Sequence, residues 1–221
     1  MKQLFLVAGI VFSQAVVSAA PVTWVDWQAG APGAPGSATG ILTIGPTTVN
    51  VTLTGEIWGL QTAGGTNYWN PAAPYISALV DNAPPDPDII QLSSASTRTL
   101  TFSQAVDNLF FAVVSLNGNG YAFDQDFEIV SGNGIAGYWG AGTLTKTNPG
   151  PGVFQLNGAG EPHGVIRFNT PITSVTWTSL SNETWNGFTV GTYGLAPSGV
   201  PEPSTWAMAL AGLALIGTGA W

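Results

Sequence analysis

Three acidic side chains, Asp124, Asp126 and Glu128, occupy alternate positions of one short stretch. Alternate side chains of a β-strand point to one face, about 7 Å apart, so this spacing predicts three carboxylates in a row. A hard cation such as Ca²⁺ would relieve their repulsion, because it prefers oxygen ligands. The alternative is a solvated strand face.

A second oxygen-rich stretch lies in a proline-rich segment. Its acidic residues are Asp81, Asp86 and Asp88. Neither stretch has the spacing of an EF-hand loop, so Ca²⁺ is a candidate ligand only through a less regular site. The alternative for this segment is a solubilising loop, and no other cofactor is indicated.

Aromatic residues in loops rich in Gly and Asn form another candidate site. These residues are Tyr68, Trp69, Tyr138, Trp139 and Trp185. A flat apolar ring can stack on a sugar ring while neighbouring polar groups bind the hydroxyls. The alternative for each ring is ordinary packing within the protein.

His163 is the only histidine and lies in the stretch Glu-Pro-His-Gly of residues 161–164, with Glu183 nearby if the last strands pair. Without cysteine, a zinc site here would need carboxylate ligands. A Ser-His-Asp site would lack the G-x-S-x-G elbow. We therefore interpret His163 as a turn residue that bonds to the backbone, with a place in a ligand site as the alternative.

The sequence contains no recognisable catalytic constellation, and we expect the protein not to be an enzyme. A glycosidase needs only two carboxylates, which keeps a polysaccharide hydrolase or lyase as a weaker alternative. Among the residues, no particular pair of acids stands out for that role.

Charge and composition exclude several classes of function. The net charge is −8 with only 4 Lys and Arg residues, so we predict no nucleic-acid partner, which would need clustered cations. There is no cysteine, which excludes disulfides and thiolate metal sites. The chain has 29 Gly and 16 Pro but only 7% charged residues, a composition typical of a turn-rich sheet protein.

Periodicity places these residues on an all-β domain. Short apolar or alternating stretches predict strands at residues 41–44, 49–54, 99–102, 108–116, 127–129, 143–147, 153–156, 165–168, 174–178 and 187–190. Residues 108–116 are continuously apolar, which predicts burial on both faces. The stretch 29–40 is predicted to be a loop or mobile arm, and 59–87 a long surface excursion. We expect a β-sandwich of jelly-roll or lectin-like kind over residues 20–199.

The two ends have the character of transport signals. Lys2 precedes an apolar run from Leu4 to Phe12, and Val17-Ser18-Ala19 supplies small or slim residues before a cleavage point. This pattern predicts a signal peptide over residues 1–19, removed by signal peptidase after Ala19.

The C-terminal stretch of residues 200–221 combines a Pro-Glu-Pro turn with an uncharged apolar run. It begins with Val200, Pro201, Glu202, Pro203, Ser204, Thr205 and Trp206. This stretch closely resembles the PEP-CTERM sorting signal of Gram-negative bacteria. The resemblance implies recognition by an exosortase, transient membrane insertion through the apolar helix, and export to the outer surface or the extracellular matrix.

One feature of this stretch departs from the family pattern, because no arginine cluster follows the apolar run up to Trp221. That departure leaves two alternatives, a truncated C-terminus or weak retention in the membrane. We expect the body to be a structural or adhesive component at the cell surface. The alternative is a carbohydrate-binding module for extracellular polysaccharide, with or without Ca²⁺.

Overall fold

The computed structural model describes residues 21–85 and 87–197. Strands make up most of this region, with one 3₁₀-helical turn at Ala73–Tyr75. In chain order the strands are β1 (Thr23–Trp24), β2 (Asp26–Ala31), β3 (Gly33–Ile44), β4 (Thr47–Ile57), β5 (Gly59–Gln61), β6 (Ile89–Leu92), β7 (Thr97–Asp107), β8 (Leu109–Val114), β9 (Gly120–Phe123), β10 (Glu128–Ile129), β11 (Gly142–Gly150), β12 (Val153–Gly160), β13 (His163–Phe168), β14 (Ile172–Ser179), β15 (Asn186–Thr192) and β16 (Gly194–Leu195).

The strands form two antiparallel sheets in a sandwich-like arrangement, as predicted. The nine-stranded sheet has the order β11-β12-β9-β14-β7-β4-β3-β2, with β16 added beside β7. The seven-stranded sheet has the order β10-β13-β8-β15-β6-β5, with β1 added beside β15. In that last pairing Thr23 lies opposite Thr192, so the first and last parts of the described chain meet.

The main core lies between the sheets and is built from alternating inward residues. On β4, Val49, Val51 and Leu53 are buried, as the alternating pattern predicts. From the seven-stranded sheet, Phe111 stacks on Phe188 with ring centroids 4.6 Å apart. The hairpin between β3 and β4 turns at Gly45, whose φ of 56° favours glycine.

A second, smaller core covers the outer face of the seven-stranded sheet. Segment 62–88 folds over this face and buries Trp69, Tyr75 and Val80 against strand residues such as Phe110 and Val114. Every residue of β8 is therefore buried, which confirms the prediction of two covered faces for residues 108–116. The prediction of a long excursion without strand for residues 59–87 is wrong for residues 59–61, which form β5. The described residues of this segment after Gln61 contain no strand, but they bury apolar side chains against the sheet.

The prediction of a loop or mobile arm for residues 29–40 is also wrong. These residues lie in β2 and β3, which extend the nine-stranded sheet at one edge. The ladder accommodates their Gly and Pro residues through register shifts, one between Trp27 and Ala29 and another between Gly33 and Gly36. Trp27 fixes this edge to the opposite sheet, since its Nε1 donates to Thr189 Oγ1 at 3.1 Å.

Within residues 21–85 and 87–197, no helix is long and apolar enough to cross a bilayer. The predicted signal peptide of residues 1–19 and the predicted sorting stretch of residues 200–221 lie outside the described residues.

Candidate functional site

A cleft opens where β8 ends and where β13 and β15 begin. Its volume is about 190 Å³, below the roughly 300–1,000 Å³ of pockets for drug-sized ligands, so it suits one small ring or one unit of a chain. The lining residues are Ser115, Asn117, Trp139, Glu161, Glu183, Thr184 and Trp185. These side chains supply hydroxyl, amide, carboxylate and indole groups, and none of them is purely aliphatic.

Four of the five predicted aromatic ligand residues gather at this cleft. The ring of Tyr68 lies 4.7 Å from that of Trp185 and 5.1 Å from that of Tyr138. Trp139 lies 4.9 Å from Tyr138 and 6.4 Å from Trp185, all as centroid distances. Tyr138 is 42% exposed and Trp139 is 56% exposed, so the cluster presents ring surface to solvent.

The fifth residue, Trp69, does not belong to this surface. Trp69 is 2% exposed, its Nε1 donates to the Asp88 carbonyl at 3.1 Å, and its ring packs edge-on against Tyr75. The prediction that Trp69 presents a stacking face is wrong, because its indole points inward from segment 62–88 and packs into the second, smaller core.

Glu161 forms one polar wall of the cleft. Its Oε2 accepts a hydrogen bond from Ser115 Oγ at 2.6 Å, and its Oε1 accepts one from Asn117 Nδ2. Ser115 has a φ of 56°, which turns the chain sharply where β8 ends. This turn brings Ser115 and Asn117 alongside Glu161, which lies between β12 and β13.

Glu183 forms the other polar wall and accepts three hydrogen bonds. The backbone N–H of Asn117 donates to Oε1 at 2.7 Å, while Oε2 accepts from Asn119 Nδ2 at 3.2 Å and Asn186 Nδ2 at 2.9 Å. Burial raises the pKa of Glu183 to about 7, with a smaller contribution from the negative charge of Glu161, against the lowering effect of these hydrogen bonds.

His163 is buried beneath the loop that carries Gly137, Tyr138 and Trp139. A Cβ atom placed on Gly137 would lie 2.4 Å from Cγ of the imidazole, so the glycine backbone rests directly on the ring. Its Nδ1 lies 3.3 Å from the Tyr75 hydroxyl, and Nε2 has no hydrogen-bond partner among the described residues. Burial lowers the pKa of His163 to about 4, which keeps the ring neutral at neutral pH. His163 therefore supports the loop from below and is not a turn residue bonded to the backbone.

The predicted row of carboxylates is absent, because residues 124–128 do not form one strand. Strand β9 ends at Phe123 and β10 begins at Glu128. Asp124 accepts from the backbone N–H of Thr176 at 3.0 Å. Asp126 pairs with Lys146, and Glu128 pairs with Arg167. Each of the three acids thus has a different partner.

The described residues of the proline-rich acidic stretch do not form a cation-binding loop. Asp88 is buried, and its Oδ2 accepts the backbone N–H of Trp27 at 2.9 Å. Asp81 is exposed, and Asp86 lies outside the described residues. Among the residues that are described, no group of three or more His, Asp or Glu side chains is arranged to hold a metal ion.

Sequence reasoning did not assign Ser115, Asn117, Glu161 or Glu183 to a site. Asn117 is 44 residues from Glu161 and 66 from Glu183 in the sequence, so only the sheet order brings them together. The available signal was positional, since each lies within four residues of the end of a predicted strand, and these strands belong to the same observed sheet.

Comparisons with known proteins add information about the C-terminus. Curated proteins gave no match, and neither did solved structures. One family model, described as the PEP-CTERM protein-sorting motif, matches residues 199–221. The match confirms the resemblance found in the Pro-Glu-Pro stretch and implies processing by an exosortase. The chain therefore carries the C-terminal motif of exported, exosortase-sorted PEP-CTERM proteins, attached to a β-rich body.

Proposed function

We propose that this exported protein binds glycans without chemical turnover, through the cleft between Trp139, Trp185, Glu161 and Glu183. The observation that carries the proposal is the exposed ring surface of Trp139, which lines the cleft together with two fixed carboxylates. The function is adhesive, linking the β-sandwich body to extracellular polysaccharide at the outer surface or in the matrix.

The chemistry of the cleft suits a sugar ring. An aromatic face stacks on the C–H face of a sugar, and an ionised carboxylate accepts hydrogen bonds from hydroxyls. A carboxylate offers about four lone-pair positions, and Glu161 uses two of them for Ser115 and Asn117. Accepting capacity is thus left for ligand hydroxyls.

The sorting motif supports the location. Residues 199–221 imply export and exosortase processing, and we propose that signal peptidase first removes residues 1–19. Transient membrane insertion through the apolar run would then precede release or attachment at the surface. No calcium ion is needed for this proposal, because the ligand groups of the cleft are rings and hydrogen-bonded carboxylates.

Binding can be tested with a variant pair matched for exposure. Trp139 is 56% exposed in the cleft, whereas Trp58 is 57% exposed outside it. On a glycan array followed by calorimetry, Trp139→Ala should weaken binding about tenfold, which is about 1.4 kcal/mol. Trp58→Ala should leave binding unchanged. No retention of the wild-type body on any glycan, with or without calcium, would refute the proposal.

Hydrolysis of a glycan is the second candidate, because the cleft holds two acids in different environments. Burial raises the pKa of Glu183 to about 7, a value suited to a general acid, and Glu161 lies across Asn117. Incubation with the glycans that bind, followed by assay for new reducing ends, separates the candidates. Cleavage that is lost in Glu183→Gln would establish an enzyme in place of a binding module.

A further inference from the structure

The cations of the described chain are all occupied away from the cleft. Arg98 pairs with Glu56, Lys146 with Asp126, and Arg167 with Glu128. These are the only Lys and Arg residues within 21–85 and 87–197. None of the three lines the cleft.

Glu161 and Glu183 therefore face the cleft with no protein cation to balance them. The same residue holds both carboxylates in place, since the side-chain N–H of Asn117 donates to Glu161 and its backbone N–H donates to Glu183. Their remaining donors are neutral hydroxyl and amide groups. An acidic, partly desolvated cleft of this kind favours ligands that carry positive charge.

The indole rings beside these carboxylates also favour a positively charged ligand, through a different interaction. Trp139 and Trp185 both line the cleft, and their ring centroids lie 6.4 Å apart with an interplanar angle of 70°. The face of an indole attracts a cation within about 6 Å of its centroid. The same faces supply the apolar surface on which a pyranose ring can stack.

We infer that the cleft recognises a glycan with free amino groups, that is, a polymer of hexosamine units that are not N-acetylated. The inference rests on the proposed function and names its ligand class. The protonated amine would lie between Glu161 and Glu183, and the sugar ring would stack on Trp139. Glycans that carry carboxylates or sulfates should be rejected, because they would bring like charge to two acids.

The experiment compares four soluble probes on the wild-type exported protein by calorimetry near pH 7, where about half of Glu183 is ionised. The probes are an oligomer of glucosamine, the same oligomer fully N-acetylated, a uronic-acid oligomer, and oligolysine. We expect the glucosamine oligomer to bind at least tenfold more tightly than its acetylated form, with no binding of the uronic-acid oligomer.

The outcomes distinguish this inference from the proposed function. Equal binding of the acetylated and free-amine oligomers would overturn the inference and leave the proposed function intact. Binding of oligolysine as tight as that of the glucosamine oligomer would also overturn it, since charge alone would then suffice. Absence of binding to every glycan would refute the proposed function itself.

Two variants locate the interaction. Glu161→Gln keeps the size of the side chain and should reduce the preference for the free amine at least fivefold, whereas Trp58→Ala should leave it unchanged. An unchanged preference in Glu161→Gln, with the variant folded by circular dichroism, would place amine recognition elsewhere and overturn the inference.

Discussion

Asn117 donates its backbone N–H to the carboxylate of Glu183 across 66 residues of sequence, with 2.7 Å between N and Oε1. Its side chain reaches Glu161 from the same turn. Asn117, which lies just after β8, thus sets the separation of two acids that come from different parts of the chain. The shape of the cleft is therefore fixed by sheet pairing and not by local sequence.

The raised pKa of Glu183 predicts a pH-dependent stability. Because the folded-state pKa of about 7 is above the ordinary 4.5, the folded chain binds the proton more tightly, and this contribution to stability is lost as pH rises through 7. The stability difference between wild type and Glu183→Gln should therefore fall as pH rises from 4.5 to 7. Urea unfolding across this range measures it.

Asp126 provides a control of opposite sign for that measurement. The hydrogen bond from Lys146 lowers the pKa of Asp126, so its contribution to stability is present at neutral pH and lost as pH falls. The difference between wild type and Asp126→Asn should therefore rise with pH. A difference that moves in the same direction for both acids would contradict the assignment at Glu183.

His163 should titrate far below an ordinary histidine. Burial lowers its pKa from 6.5 to about 4, so stability linked to this group is present above 6.5 and lost as pH falls through 4. NMR follows it without ambiguity, because the chain has one histidine. The same signal in urea should titrate near 6.5. A midpoint near 6.5 in the folded protein would show that His163 is open to solvent.

Gly137 should be required for the position of the aromatic loop. A side chain here would meet the His163 ring, whereas a Cβ on Gly150 meets no atom within 4 Å. We expect Gly137→Ala to weaken glycan binding by about tenfold, or about 1.4 kcal/mol, through displacement of Tyr138 and Trp139. Gly150→Ala should bind like the wild type. Equal effects of both substitutions would show that loop position does not control binding.

The ion pair of Arg98 and Glu56 should dominate the electrostatic contribution to stability. Arg98 is 1% exposed and donates to Glu56, to the carbonyls of Ser94 and Ser96, and to Ser179 Oγ. Replacing it with methionine would leave Glu56 buried without its partner and should cost about 3–5 kcal/mol. Chemical denaturation measures this free energy of unfolding.

Lys146→Met is the matched substitution for Arg98→Met, since both keep an aliphatic stem. In the pair of Lys146 with Asp126 the aspartate side chain is 65% exposed, so loss of the pair should cost about 1 kcal/mol or less. A cost for Lys146→Met as large as that for Arg98→Met would argue that burial does not distinguish the two pairs.

Processing at both ends can be read from the mass of the exported protein. Cleavage after Ala19 should give a mature chain that begins at Ala20, and the motif at residues 199–221 predicts further processing by an exosortase. Replacing Pro201, Glu202 and Pro203 by alanine should abolish the second event and leave the first unchanged. The wild-type chain in a host without exosortase is the control, and its mass should differ from that of the variant only by the three substitutions.

Local sequence patterns predict the strands well where apolar residues alternate or run continuously. Each of the ten predicted strands overlaps an observed one. The failures include residues 29–40, where strand pairing outweighs the low β-propensity of Gly and Pro. They also include residues 59–61, which form β5, and residues 124–128, where alternating acids suggested a strand.

The candidate site could be predicted only in part. Tyr138, Trp139 and Trp185 stand out because aromatic residues in Gly-rich loops are unusual, and the structure brings them together with Tyr68. Trp69 has the same local sequence character yet is buried, because the segment that carries it folds back over the sheet. Long-range pairing decides both outcomes, and local sequence carries no information about it.

The pairing of Thr23 with Thr192 has a consequence for orientation. Strand β15 runs from Asn186, beside the cleft, to Thr192, a distance of about 20 Å at about 3.3 Å per residue. The polypeptide thus continues toward its sorting motif from the pole opposite the indole rings. If the body is tethered through that motif, the proposed glycan-binding cleft lies at the other pole, where neighbouring polymer would meet it first.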